Sequence, residues 1–192
     1  WGPRGLTPRT EIKVPSKQFK TYEFEEVVAI LQRHIDEKPT IISEIEERFK
    51  IKVNTLRPDM ELPWEYEWLL SSMHEEPFFI HDYPRGARGF YDREYEDKKG
   101  YLMDFDLLFP HGYGEAISGA AREYDHRKVI PRMKESGESL GKYKWYLDFL
   151  HKHGKPTAGF VIGLERTVRY FCALPSIMMA LPYPKVPGVF NP

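Results

Sequence analysis

One cysteine, Cys172, stands among 192 residues. No internal disulfide can form, and a reducing, cytoplasmic setting is expected. Charge of either sign is barely in excess, with 28 basic against 29 acidic side chains and a net of -1. That balance gives no reason to expect a broad phosphate-neutralising surface. Long apolar runs are missing too. The longest, YFCALPSIMMALPYP over 170–184, is broken by Pro175 and falls short of the roughly 20 residues a membrane span needs. No membrane partner is expected, and no secretory leader, internal repeat or low-complexity tract is visible. The chain opens on Trp1 rather than Met, so further chain is expected upstream.

What is present reads as one α/β domain behind an arm. Residues 1–18 hold three prolines and two glycines without apolar period and read as a linker or extended arm. From Tyr22, with Phe24, Val27, Val28 and Leu31 on one face, the spacing predicts a helix. A second is expected over 40–50 with Thr40 as cap, and a third from Pro63 through WEYEWLLSSMH. PFFIHDYP (77–84) and YLMDFDLLFP (101–110) read as buried strands, joined by the charged and solvated stretch 92–100. The span 77–123 should hold adjacent, antiparallel strands. Helices closed by Gly137 and Gly154 follow, then a strand TAGFVIG (157–163) running into a helix over 164–174. On that last helix Leu164, Val168 and Phe171 or Cys172 should face the core.

The stretch HGYGEAISGAARE (111–123) invites a phosphate-loop reading, and both familiar versions fail. No Gly-Lys-Ser/Thr ending is present, and Ile117 stands where a third dinucleotide-binding glycine belongs. Two acids remain. Asp106 leaves a hydrophobic strand and Glu115 follows the glycine-rich turn. If the strands pair across that turn, both could face one pocket and suit Mg²⁺ beside a nucleotide phosphate. Ser118, Gly119, Ala120 and Ala121 would form a floor, with Arg122 beyond it able to fork onto a carboxylate or amide. The plain alternative is that Glu115 and Arg122 form a solvated strand-edge pair. In AGFVIGLERTVRY, Arg166 lies in a helical first turn, where a bound anion would relieve its conflict with the helix dipole. Alternatively it is an exposed arginine. HKH (151–153) reads as a helix end, and Tyr143, Trp145 and Tyr146 as core.

Together, DFDLLFPHGYGEAISGAARE and GFVIGLERTVRY resemble the class II aminoacyl-tRNA synthetase core of the aspartyl and asparaginyl branch. EEPFFIHDYP, GFYDRE, YKWYLDFLHKHGKPTAGF and LPYPKVPG have counterparts in order, so the resemblance covers roughly Phe19 to Pro192. Within the branch, FYDRE, HGYGE and KVPG look most like archaeal asparagine synthetases descended from asparaginyl-tRNA synthetase. The fold implied is part of the class II antiparallel sheet flanked by helices. The activity implied is ATP-dependent activation of aspartate for asparagine synthesis. The cofactors implied are ATP and Mg²⁺. By position, Arg166 matches the arginine of motif 3 that contacts the γ-phosphate, with Gly163 opening that motif. Asp106 and Glu115 match the acids around the metal. Arg122 matches the arginine that reads the amino-acid side chain, over Ser118 and Gly119. Arg88 aligns with a basic position before the family's Phe-Tyr.

The same resemblance implies motifs 1 and 2 before residue 19, and neither is found there. Motif 1 builds the family's dimer interface and motif 2 clamps the α-phosphate. The chain alone is therefore expected to be a poor catalyst, with a homodimer partner or another chain supplying the missing motifs. Methionines in SIMMALPYP replace a usual Arg-Asp pair, and Ala120 replaces a common glycine. Three readings stay open: the aspartate-activating ligase; an asparaginyl-tRNA synthetase portion that also binds asparagine and tRNA; and a non-catalytic paralogue acting as a binding or assembly module.

Overall fold

A computed structural model describes residues 17–185. Residues 1–16 of the proposed arm over 1–18, and most of the closing KVPG, therefore lie outside the described residues. Five strands form one sheet in the order β1–β2–β3–β4–β5. They are β1 (Lys20–Glu23), β2 (Phe78–His81), β3 (Asp104–Phe109), β4 (Gly114–Arg122) and β5 (Thr157–Ile162). β1 runs parallel to β2, and every other pairing is antiparallel. The expected α/β fold with a mostly antiparallel sheet flanked by helices is the fold observed.

Helices α1 (Phe24–Glu37), α2 (Thr40–Phe49) and α3 (Trp64–Ser72) pack on the sheet face that carries Phe78, Ile80 and Leu108. Phe24, Val27 and Leu31 recur at helical spacing and are fully buried there. Thr40 is the first residue of α2 rather than its cap. The cap position is taken by Pro39, and the Thr40 hydroxyl donates to the Glu44 carboxylate. A short 3-10 turn spans Arg85–Ala87. Helix α4 (His126–Glu135) is capped by Asp125, whose carboxylate accepts from the Arg127 N–H. Helix α5 (Lys144–His153) packs Tyr143, Tyr146, Leu147 and Leu150 against Phe90, Val129 and Met133. Trp145 points outward, 69% exposed, against the expectation of a core residue.

Three local expectations change. β1 was not foreseen, because its four residues, KTYE, carry no apolar run. The stretch 92–100 is not simply solvated: Asp92 is buried and bridges to Arg122, and Glu94 to Leu102. The last helix, α6 (Leu164–Phe171), turns Arg169 and Tyr170 inward, while Leu164, Phe171 and Cys172 are exposed. The cause is aromatic. Tyr170 stacks on Phe109 with ring centroids 4.0 Å apart and planes 9° from parallel, which fixes the helix's rotation.

Candidate nucleotide and amino-acid site

Antiparallel register decides which side chains meet. Asp106 lies opposite Ser118, and Leu108 opposite Glu115, with an irregularity between Leu107 and Leu108. In a regular strand, positions three apart point to opposite faces. The bulge at Ala116 cancels that difference and sets Glu115 and Ser118 on the same face as Asp106. The turn before β4 is built from positive φ values at His111 (60°), Gly112 (80°) and Gly114 (73°). A Cβ on Gly112 would also lie 2.6 Å from the Trp68 indole nitrogen, so glycine serves both the turn and its packing.

The acids crowd this corner. Arg88 stacks over the Tyr83 ring at 3.8 Å and donates to Asp104 at 3.2 Å, to Glu61 at 3.0 Å and to Asp106. The second oxygen of Asp106, Oδ1, is buried without a hydrogen bond. Burial, then repulsion from Glu115 and Asp106, pushes the Glu67 carboxyl up to about 8. Glu61 is pushed up to about 7 and Asp104 to about 6, in both cases chiefly by burial, with Arg88 acting against it. Glu115 is also raised, by burial and by Asp106, with Arg166 opposing. Carboxylates that raise one another's pKa form a site short of positive charge. No group of three or more His, Cys, Asp or Glu among the described residues is arranged to hold a metal. The unpaired, buried Asp106 oxygen and the neighbouring Glu115 offer oxygens of the kind a hard cation takes.

Arg166 closes the corner from α6. Its Nη1 donates to the Glu115 carbonyl at 2.6 Å and lies 3.7 Å from that residue's carboxylate. Gly163 precedes the helix, and its N–H donates to the Ala116 carbonyl at 2.9 Å, tying α6 to the bulge. A Cβ on Gly163 would sit 3.2 Å from Arg166 Cδ, so the glycine leaves room for the arginine to fold back. A cavity of about 670 Å³ opens here, lined by Trp64, Glu67, Trp68, Glu115, Arg166 and Arg169 among others.

Arg122 lies four residues beyond Ser118 on the same face, roughly 13 Å along the strand at 3.3 Å per residue. One guanidinium nitrogen donates to Asp92, and the group lies 5.1 Å from the Tyr91 ring centroid. Burial raises the Asp92 pKa, while Arg122 opposes it. Asp92 is held in turn by Arg132, which donates to its carbonyl. A second cavity, of about 630 Å³, is lined by Arg122, Tyr91, Tyr146, Phe149 and Lys155 among others. Gly119 faces the other way: a Cβ there would meet the rings of Phe105 and the Cβ of Phe160 at 2.8 Å. Thus Asp106, Glu115, Ser118, Arg122 and Arg166 share one side, and Gly119 provides clearance on the other. Glu61, Glu67 and Asp92 went unread in the sequence. Glu61 and Glu67 are lone acids that carry no motif, whereas Asp92 lies within the GFYDRE match but gains its partner, Arg122, only in the fold.

The family model for tRNA synthetases class II (D, K and N) matches residues 6–187. The chain belongs to that family. Its relatives narrow the class further. The asparagine–tRNA ligase of Thermococcus kodakarensis is 38% identical over 127 residues, covering 66% of this chain and 29% of the relative. That of Thermus thermophilus is 30% identical over 184 residues, covering 96% and 38%. Among solved structures, asparaginyl-tRNA synthetase from Pyrococcus horikoshii superposes with a TM-score of 0.75 at 30% identity, covering 91% of this chain and 37% of that one. The same protein has also been solved with asparaginyl-adenylate. The chain thus spans about a third of the length of the relatives it matches. No helix among the described residues is long and apolar enough to cross a membrane.

Proposed function

We propose that this chain contributes the nucleotide corner and the amino-acid end of an adenylate-forming site. ATP binds at Arg166, and an amino acid with a four-carbon acid or amide skeleton binds at Arg122. The observation that supports the reading most is the shared sheet face carrying Asp106, Glu115, Ser118 and Arg122, closed at one end by Arg166. Adenylation joins a carboxylate oxygen to the α-phosphorus and expels pyrophosphate. The protein's tasks are to hold the reactants in line and to offset phosphate charge. Arg166 would take the terminal phosphate, exchanging its bond to the Glu115 carbonyl for a charge-assisted one. Asp106 and Glu115 would hold Mg²⁺, which neutralises phosphate charge when bound.

The Arg122–Asp92 pair bears on the choice of amino acid. Arg122 retains donors and Asp92 retains an acceptor, which together match a carboxamide's oxygen and N–H. This favours asparagine, the amino acid named in the relatives' activity, with tRNA as acceptor. Aspartate is the second reading, as the substrate of an asparagine-forming ligase working in asparagine biosynthesis. Its support is the raised Asp92 pKa, because a protonated Asp92 leaves Arg122's charge free for a carboxylate. The motifs not found here would come from further chain or from a dimer partner, in the cytoplasm.

Titration with ATP and Mg²⁺ tests the nucleotide corner. Arg166→Ala and Glu115→Gln should each weaken ATP by about tenfold. Unchanged affinity in both folded variants would overturn the reading. A rise in aspartate affinity as the pH falls, with asparagine flat, would select the second amino acid.

A further inference from the structure

Arg169 has no role in the site as described so far. It follows Arg166 by three positions on α6, a spacing that sets both side chains on one helical face. It is 6% exposed, and its Nε and Nη2 are buried without a hydrogen-bond partner. Among the described residues no carboxylate forms a salt bridge with it. Its guanidinium instead lies 4.9 Å from the ring centroid of Tyr113, a residue of the glycine-rich turn. Burial and the charge of Arg166 both press its pKa down. A buried guanidinium beside a second one, with donors unused, is unfavourable unless something negative joins them. Both arginines line the 670 Å³ cavity, and Lys50 does as well. Glu67 and Glu115 line it too, and the nearer cation to Glu115 is Arg166.

We infer that Arg169 and Arg166 together seat a diphosphate group in this cavity, either free pyrophosphate or the β,γ end of a nucleoside triphosphate. The inference rests on reading Arg166 as a phosphate contact and adds a second cation beneath it. Two forked cations one helical turn apart can grip adjacent phosphates, where a single one grips one. Holding the leaving group this way would favour the pyrophosphate-bound state as well as ATP binding.

The test is calorimetric titration of the whole chain with Mg²⁺-pyrophosphate, ATP and AMP, using wild type, Arg169→Leu, Arg169→Lys and Arg166→Ala. Arg169→Leu should weaken pyrophosphate and ATP by about tenfold, leave AMP unchanged and raise the thermal midpoint, because an uncompensated buried charge is gone. Arg169→Lys should lose less affinity than Arg169→Leu. If a folded Arg169→Leu keeps wild-type pyrophosphate affinity while Arg166→Ala weakens it, the inference fails and the reading of Arg166 stands. If neither substitution matters, or wild type binds no pyrophosphate at millimolar concentration, both fail.

Discussion

Glu67 is the residue whose chemistry responds most to its surroundings. On α3 it faces Glu115 and Asp106, and its carboxyl is pushed from 4.5 up to about 8. A group with a raised folded pKa contributes stability that is full below its unfolded pKa and is lost as pH climbs through the folded value. The chain should therefore lose stability between about pH 4.5 and 8, with Glu61 and Asp104 adding to the lower part of that window. Glu67→Gln should raise the thermal midpoint near pH 8 and flatten the slope, measured by calorimetric melts across the range. A midpoint at pH 8 equal to wild type would contradict this. Asp92 makes the complementary case. Arg122→Ala strands a buried carboxylate and should cost about 1–3 kcal/mol in a urea titration. Arg122→Lys should recover part of that loss.

At the scale of elements, the sequence was most legible where periodicity met punctuation. α1 was readable because Phe24, Val27 and Leu31 repeat at helical spacing. β2 and β3 were readable because prolines bound dense apolar runs. The rotation of α6 was not readable, because it depends on Tyr170 stacking against Phe109, a contact made across 61 positions. The bulge at Ala116 was equally hidden, though it is what places Glu115 on the same face as Ser118. Residue pattern and motif resemblance both mark Asp106, Glu115, Arg122 and Arg166; Asp92 lies within the matching GFYDRE, yet that it claims part of Arg122's fork shows only in the fold. Gly163 tests how α6 presents Arg166. Gly163→Ala brings a Cβ to 3.2 Å from Arg166 Cδ and should displace the guanidinium from Glu115. ATP affinity should fall by a few-fold, with a change in melting midpoint of only a degree or two. An equal loss in both readouts would point to a structural role instead.

At the scale of the molecule, the sheet ends on β5, all six residues of which are exposed, including Phe160, Val161 and Ile162. An apolar edge strand is a template for pairing. The chain should associate with rising concentration, and Val161→Lys should suppress that association in sedimentation velocity. The chain spans about a third of its relatives' length, so the adenylate-forming site is proposed for an assembly to which it contributes two corners. The measurement that tests this most directly is calorimetric titration of the chain with a non-hydrolysable asparaginyl-adenylate analogue plus Mg²⁺, repeated with Arg166→Ala and Arg122→Ala. The account predicts saturable 1:1 binding that each substitution weakens by about tenfold. No binding by a well-folded chain, or binding that ignores both arginines, would contradict it.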